Sequence, residues 1–71
     1  MDKVKQQKYY LKELRMRKKM TQKEVADELG ISVQTYSSWE KDITNVAVKR
    51  VEALAKYYGC SIDELNFKYV D

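Results

Sequence analysis

Gln34 carries an amide donor and an amide acceptor in one side chain, the pair that matches N6 and N7 at the exposed edge of adenine. Val33, one residue earlier, can pack on a thymine methyl, and Ser37 and Ser38, one turn later, can donate or accept. Such side chains recognise hydrogen-bond patterns and break no bonds. The chain has no histidine and a single cysteine, and it holds neither a glycine-rich phosphate loop nor residues at metal-ligand spacing. With those groups missing, the expectation is a protein that is not an enzyme and uses no cofactor or metal.

Pattern readers need a rigid element to present them. From Gln22 to Lys41 the small and apolar residues fall at Val25, Ala26 and Leu29, and again at Tyr36 and Trp39, which predicts two short helices facing one core. Gly30 can take the left-handed conformation that ends the first, and Ser32 can cap the amides that open the second, about Val33 to Lys41. Ala26 stands where the helices would cross, and a larger side chain there would push them apart. Thr21 and Glu24, three residues apart, form a capping box that starts the earlier helix near Gln22. Gln22 and Lys23 then stand at its amino end, where free amides and the helix dipole favour a phosphate oxygen.

These features together resemble the helix-turn-helix of the phage repressor and Cro family of bacterial and phage regulators, also called the Xre family. The resemblance runs from about Leu11 to Leu65 and rests on Thr21, Gln22, Ala26, Gly30, Ser32, Trp39 and Glu40, followed by an aliphatic helix that ends in Gly59 and the run SIDEL. It implies an all-α, lambda-repressor-like fold of five helices, the helix-turn-helix being helices 2 and 3. It also implies a sequence-specific regulator of transcription, a repressor that binds a palindromic operator in double-stranded DNA as a homodimer. Val33, Gln34, Ser37 and Ser38 match the family's base-contacting positions, and Gln22 resembles its phosphate-clamping glutamine. Thr35, Lys41, Thr44, Asn45, Lys49 and Arg50 stand where similar proteins approach the DNA backbone. Arg15 and Glu40 resemble a structural brace between the first helix and the end of the recognition helix. Similar domains also serve as antitoxins or adaptors, so a module whose main partner is another protein, such as a toxin, is the competing reading.

The remaining residues supply the scaffold. A chain of 71 residues is expected to be one domain, 1–71, with its core at about 9–66 and short extensions at each end. A first helix is expected to occupy much of residues 5–18, Leu11 and Leu14 inward and Lys8, Lys12, Arg17 and Lys18 largely outward. Residues 42–47 lack helical periodicity and read as a loop. Val48, Val51, Leu54, Ala55 and Tyr58 predict one buried face of a fourth helix, and Ser61 with Glu64 predicts a fifth, with Ile62 and Leu65 inward. Tyr36 and Trp39 are expected to pack in the core. Tyr9, Tyr10, Tyr57, Phe67 and Tyr69 have no assigned role beyond covering its edge, and residues 67–70 offer an apolar patch for self-contact.

The net charge of +3 hides an asymmetry. Residues 1–23 hold nine Lys or Arg against two acids, giving +7, whereas residues 24–71 hold five against nine, giving −4. A basic pole gathers polyanions, because each cation that meets a phosphate frees a condensed counterion. No long apolar run and no signal-like segment is present, so neither a membrane span nor export is expected and the cytoplasm is the expected compartment. Cys60 has no second cysteine to pair with and reads as a small, half-buried side chain.

Overall fold

A computed structural model describes residues 8–68. Four helices follow one another: α1 (Leu11–Arg17), α2 (Gln22–Leu29), α3 (Val33–Lys41) and α4 (Val48–Tyr58). Both ends of α2 and the start of α3 have local causes. Thr21 Oγ1 accepts from the Glu24 N–H at 3.1 Å while Glu24 Oε1 accepts from the Thr21 N–H at 2.8 Å, so two otherwise unpaired amides of α2 are satisfied reciprocally. Gly30, at φ +73°, turns the chain out of α2, and the Ile31 N–H closes back on the Ala26 carbonyl at 3.0 Å. Ser32 Oγ then accepts from the Thr35 N–H at 3.1 Å and opens α3.

α2 makes its largest contact with α3, and Ala26 is fully buried there. Val25 and Tyr36 are sealed beside it, and Leu11, Leu14, Ile43, Val51, Leu54, Ala55 and Leu65 complete the core among the described residues. Trp39 is half-buried against this cluster, as are Leu29, Ile31 and Ile62. The inward stripes of both helix-turn-helix segments thus meet, which leaves the other side of α3 free.

Three expectations need correction. The fifth helix is a single 3-10 turn, Ile62–Glu64: Ser61 and Glu64 do form the capping box, but Leu65 is already extended at ψ 135° and no further turn follows. The first helix starts at Leu11 because Tyr10 is extended and the Tyr9 N–H is bonded to the distant Glu64 carbonyl at 2.7 Å; residues 5–7 lie outside the described residues. Val48 is 66% exposed and does not join the buried face of α4, since it occupies the helix's first position, ahead of where α4 meets the core. Ile43, in the segment read as a plain loop, is fully buried. Of the tail, Tyr69 and Val70 lie outside the described residues, and Phe67 is 36% exposed.

Candidate nucleic-acid interface

α3 is divided by its own periodicity. Tyr36 faces the core, and its hydroxyl meets that of Tyr58 on α4 at 2.7 Å. Burial, followed by this hydrogen bond, pushes the Tyr36 phenol well above its ordinary range. On the opposite side Gln34, Thr35 and Ser38 are exposed, whereas Val33 and Ser37 are half-buried. The four residues expected to read bases therefore all reach the surface, with Gln34 and Ser38 the more open.

The brace expected from resemblance is present in the geometry. Arg15 Nε donates to Glu40 Oε2 at 2.6 Å and Nη2 donates to Oε1 at 3.4 Å, while Nη1 reaches the Met20 carbonyl at 2.9 Å. The side chains keep only 14% and 7% of their exposure, so the pair is largely withdrawn from water. The hydrogen bond to Glu40 raises the Arg15 pKa further, against an opposing effect of burial. Glu40 Oε1 accepts a third donor, Gln22 Nε2, at 2.9 Å. Glu40 thereby ties α1, α2 and α3 together and fixes which way the Gln22 amide points.

An open cavity of about 310 Å³ lies at this junction, lined by Lys12, Arg15, Gln22, Ser37, Glu40 and Lys41. The Glu40 charge is already met by Arg15, and neither Lys12 nor Lys41 has an ion-pair partner among the described residues. Two spare cations beside an oriented amide suit an anionic oxygen. Lys12 was missed as a site residue: its place on the outward face of α1 gives the same signal as any solvated lysine, and only the packing of α1 on α3 puts it beside Lys41. Val33 and Lys23 line a neighbouring, shallower depression with Thr21 and Gln22.

The other expected backbone contacts are more scattered. Lys23 Nζ is 3.1 Å from Asp27 Oδ2 in an exposed pair, which holds it only weakly. Thr35 Oγ1 accepts from the Ser32 hydroxyl at 2.9 Å. The Thr44 N–H donates to Asp42 Oδ1 at 2.8 Å and the Thr44 hydroxyl donates to the same oxygen, which keeps the Asp42 carboxyl below the usual carboxylate range. The hydroxyl proton of Thr44 is thus committed, leaving its lone pairs. Asn45 and Lys49 are exposed. Arg50, also exposed, borders a separate groove with Leu29, Ile31, Trp39, Ala53 and Leu54, away from the cavity at Gln22 and Lys41. Among the described residues no group of three metal-ligating side chains occurs, and no helix is long and apolar enough to cross a membrane.

Residues 11–65 match the family model described as Helix-turn-helix. The chain is also similar to the transcriptional repressor RstR of the cryptic phage CTXphi from Vibrio cholerae, with 38% identity over 55 residues. That alignment takes in 78% of this chain and 50% of the relative, so the chain spans about half the length of the curated relative it matches. No solved structure matches it.

Proposed function

Starting from the helix-turn-helix family of phage repressor and Cro-like regulators, to which this chain belongs, we propose that the protein binds double-stranded DNA by sequence and represses transcription by occupying an operator. The observation that carries this reading is the division of α3: Tyr36 is held in the core by Tyr58, and Glu40 is held by Arg15 and Gln22, while Gln34 and Ser38 stand free at the opposite surface. A helix held along its inner face with one polar edge exposed is what entry into a major groove requires.

The mechanism runs from charge to contact. The basic amino-terminal third draws the protein to the phosphate backbone and releases counterions. The Gln22 amide, aimed by Glu40, and the cations of Lys12 and Lys41 hold one strand's backbone; Lys23, Thr35, Asn45, Lys49 and Arg50 supply further contacts to either side, and Thr44 joins them only if its hydroxyl turns from Asp42. With the register set, Gln34 tests for adenine, Val33 for a thymine methyl, and Ser37 and Ser38 make permissive contacts. One helix reads too few base pairs to choose a site in a genome, so two copies of the domain act on a palindrome whose half-sites lie about 34 Å apart. Residues 1–71 act as one domain in the cytoplasm, with self-contact through Phe67 and its neighbours.

Selection of bound sequences from a random DNA pool, followed by gel shift at stepped salt, tests the proposal. The expected result is an enriched palindrome, bound with an affinity that falls linearly with the logarithm of salt. A pool without enrichment at any salt would refute DNA reading and leave the protein-interaction module, an antitoxin or adaptor, as the function.

A further inference from the structure

The ends of the described chain are stitched onto the domain by backbone hydrogen bonds, in addition to the burial of Leu65 and the packing of Tyr9 against the core. The Tyr9 N–H donates to the Glu64 carbonyl at 2.7 Å, the Asn66 N–H donates to the Tyr9 carbonyl at 2.8 Å, and the Ile43 N–H donates to the Phe67 carbonyl at 2.7 Å. The outcome is a parallel bridge between Tyr9 and Leu65 and an antiparallel bridge between Asp42 and Lys68. Residues 64–68 therefore run between Tyr9 on one side and the loop joining α3 to α4 on the other. Tyr9 and residues 66–68 lie outside the stretch matched by the family model, which ends at residue 65.

We propose that residues 66–68 are a positioning strap for DNA binding, which sets the loop of residues 42–47 so that Asn45 and the start of α4 at Lys49 meet the phosphate backbone. This role rests on the DNA-binding reading above. Ile43 is fully buried, and a buried amide needs an acceptor. The loop's own bonds run elsewhere: the Thr44 N–H goes to the Asp42 carboxylate, and the Val46 N–H goes to the Ile43 carbonyl at 3.1 Å. Phe67 alone, among the described residues, supplies the acceptor for Ile43. Without it the amide must turn toward water, and the loop opens with it. Because the bond joins backbone to backbone, it depends on the chain continuing past Asn66 and hardly on which side chains follow.

Two truncations isolate the strap, one ending at Lys68 and one ending at Asn66. The shorter chain loses the Phe67 carbonyl and keeps the Asn66 bond to Tyr9. It should lose hydrogen-exchange protection at the Ile43 amide, bind the selected DNA about tenfold more weakly, and show a shallower salt slope with the same preferred sequence. The chain ending at Lys68 keeps the Phe67 carbonyl and should match the full chain in Ile43 protection; the affinity and salt slope of the shorter chain are read against this chain, so that the loss of Tyr69 and Val70 from the self-contact is common to both. Should the shorter chain fail to fold, an ester in place of the Ile43 amide, made by chemical synthesis, deletes the donor and keeps every side chain; the same losses are expected. Unchanged Ile43 protection would overturn the strap itself. Lost protection with unchanged affinity and salt slope would overturn its role in binding. If the full chain selects no DNA while Ile43 protection still falls on truncation, the DNA reading has failed and the strap's role in it falls too, although the contact is real.

Discussion

Gln34 and Glu40 occupy one helix and are given opposite work. Gln34 is exposed and makes no hydrogen bond among the described residues, so its amide is spent on nothing in the fold. Gln34→Ala should leave thermal unfolding unchanged, cost about 1–3 kcal/mol at the selected site and relax the preference at one base position. Glu40 accepts from Arg15 and Gln22 and retains 7% of its side-chain exposure. Glu40→Ala strands the Arg15 guanidinium, and the expected loss is about 3 kcal/mol in denaturant unfolding, the low end for a broken buried pair because Arg15 keeps some water. An unchanged unfolding midpoint would show that the brace holds nothing. The brace was legible from resemblance, through an arginine and a glutamate at the right places. The Gln22 bond to the same carboxylate was not, because no local pattern marks two residues eighteen positions apart as partners.

At the scale of elements, the crossing of α2 on α3 turns on Gly30. A Cβ built there meets nothing within 4 Å, so the cost of a side chain is conformational and not steric. Gly30→Ala should therefore destabilise by about 1 kcal/mol through the left-handed backbone, with Gly30→Asn closer to neutral; equal stability of Ala and Gly would refute this. α3 is joined to α4 by the Tyr36 and Tyr58 hydroxyls, and burial raises both phenols. A raised folded pKa means that the unfolded chain ionises first. This contribution is complete below about pH 10 and is lost as pH climbs through the folded values, so unfolding should become easier above that point. Tyr36→Phe should flatten the alkaline limb of a stability-versus-pH curve. The helices were readable because their signals are local: Thr21, Ser32, Gly30 and Gly59 sit at the ends they predict, and the inward stripes repeat at helical spacing. Ser61 and Glu64 misled for the same reason, since a capping box states where a helix begins and not how long it lasts. Ile43 had no periodic neighbour to announce it, and its burial follows from partners that are distant along the chain.

For the whole molecule, the +7 of residues 1–23 against the −4 of residues 24–71 gives the domain a direction in an electric field. Part of the basic charge is withdrawn from phosphate: Arg15 is engaged with Glu40 away from water, whereas the exposed pairs of Lys23 with Asp27 and Arg17 with Glu13 hold their cations only weakly. Lys49, exposed near the start of α4, has no ion pair among the described residues. Lys49→Ala should weaken selected and random DNA alike and lower the salt slope by about one unit, whereas a changed base preference would mean that it reads sequence. The parallel bridge between Tyr9 and Leu65 has a topological corollary. Tyr9, near the entry, lies one strand spacing of ~5 Å from Leu65, only three residues before Lys68 closes the described fold, so the unit can be spliced into a surface turn of a host protein through short joints. A graft of this kind would carry α3 outward on a two-stranded stalk, and movement in the host would reach it through both strands at once.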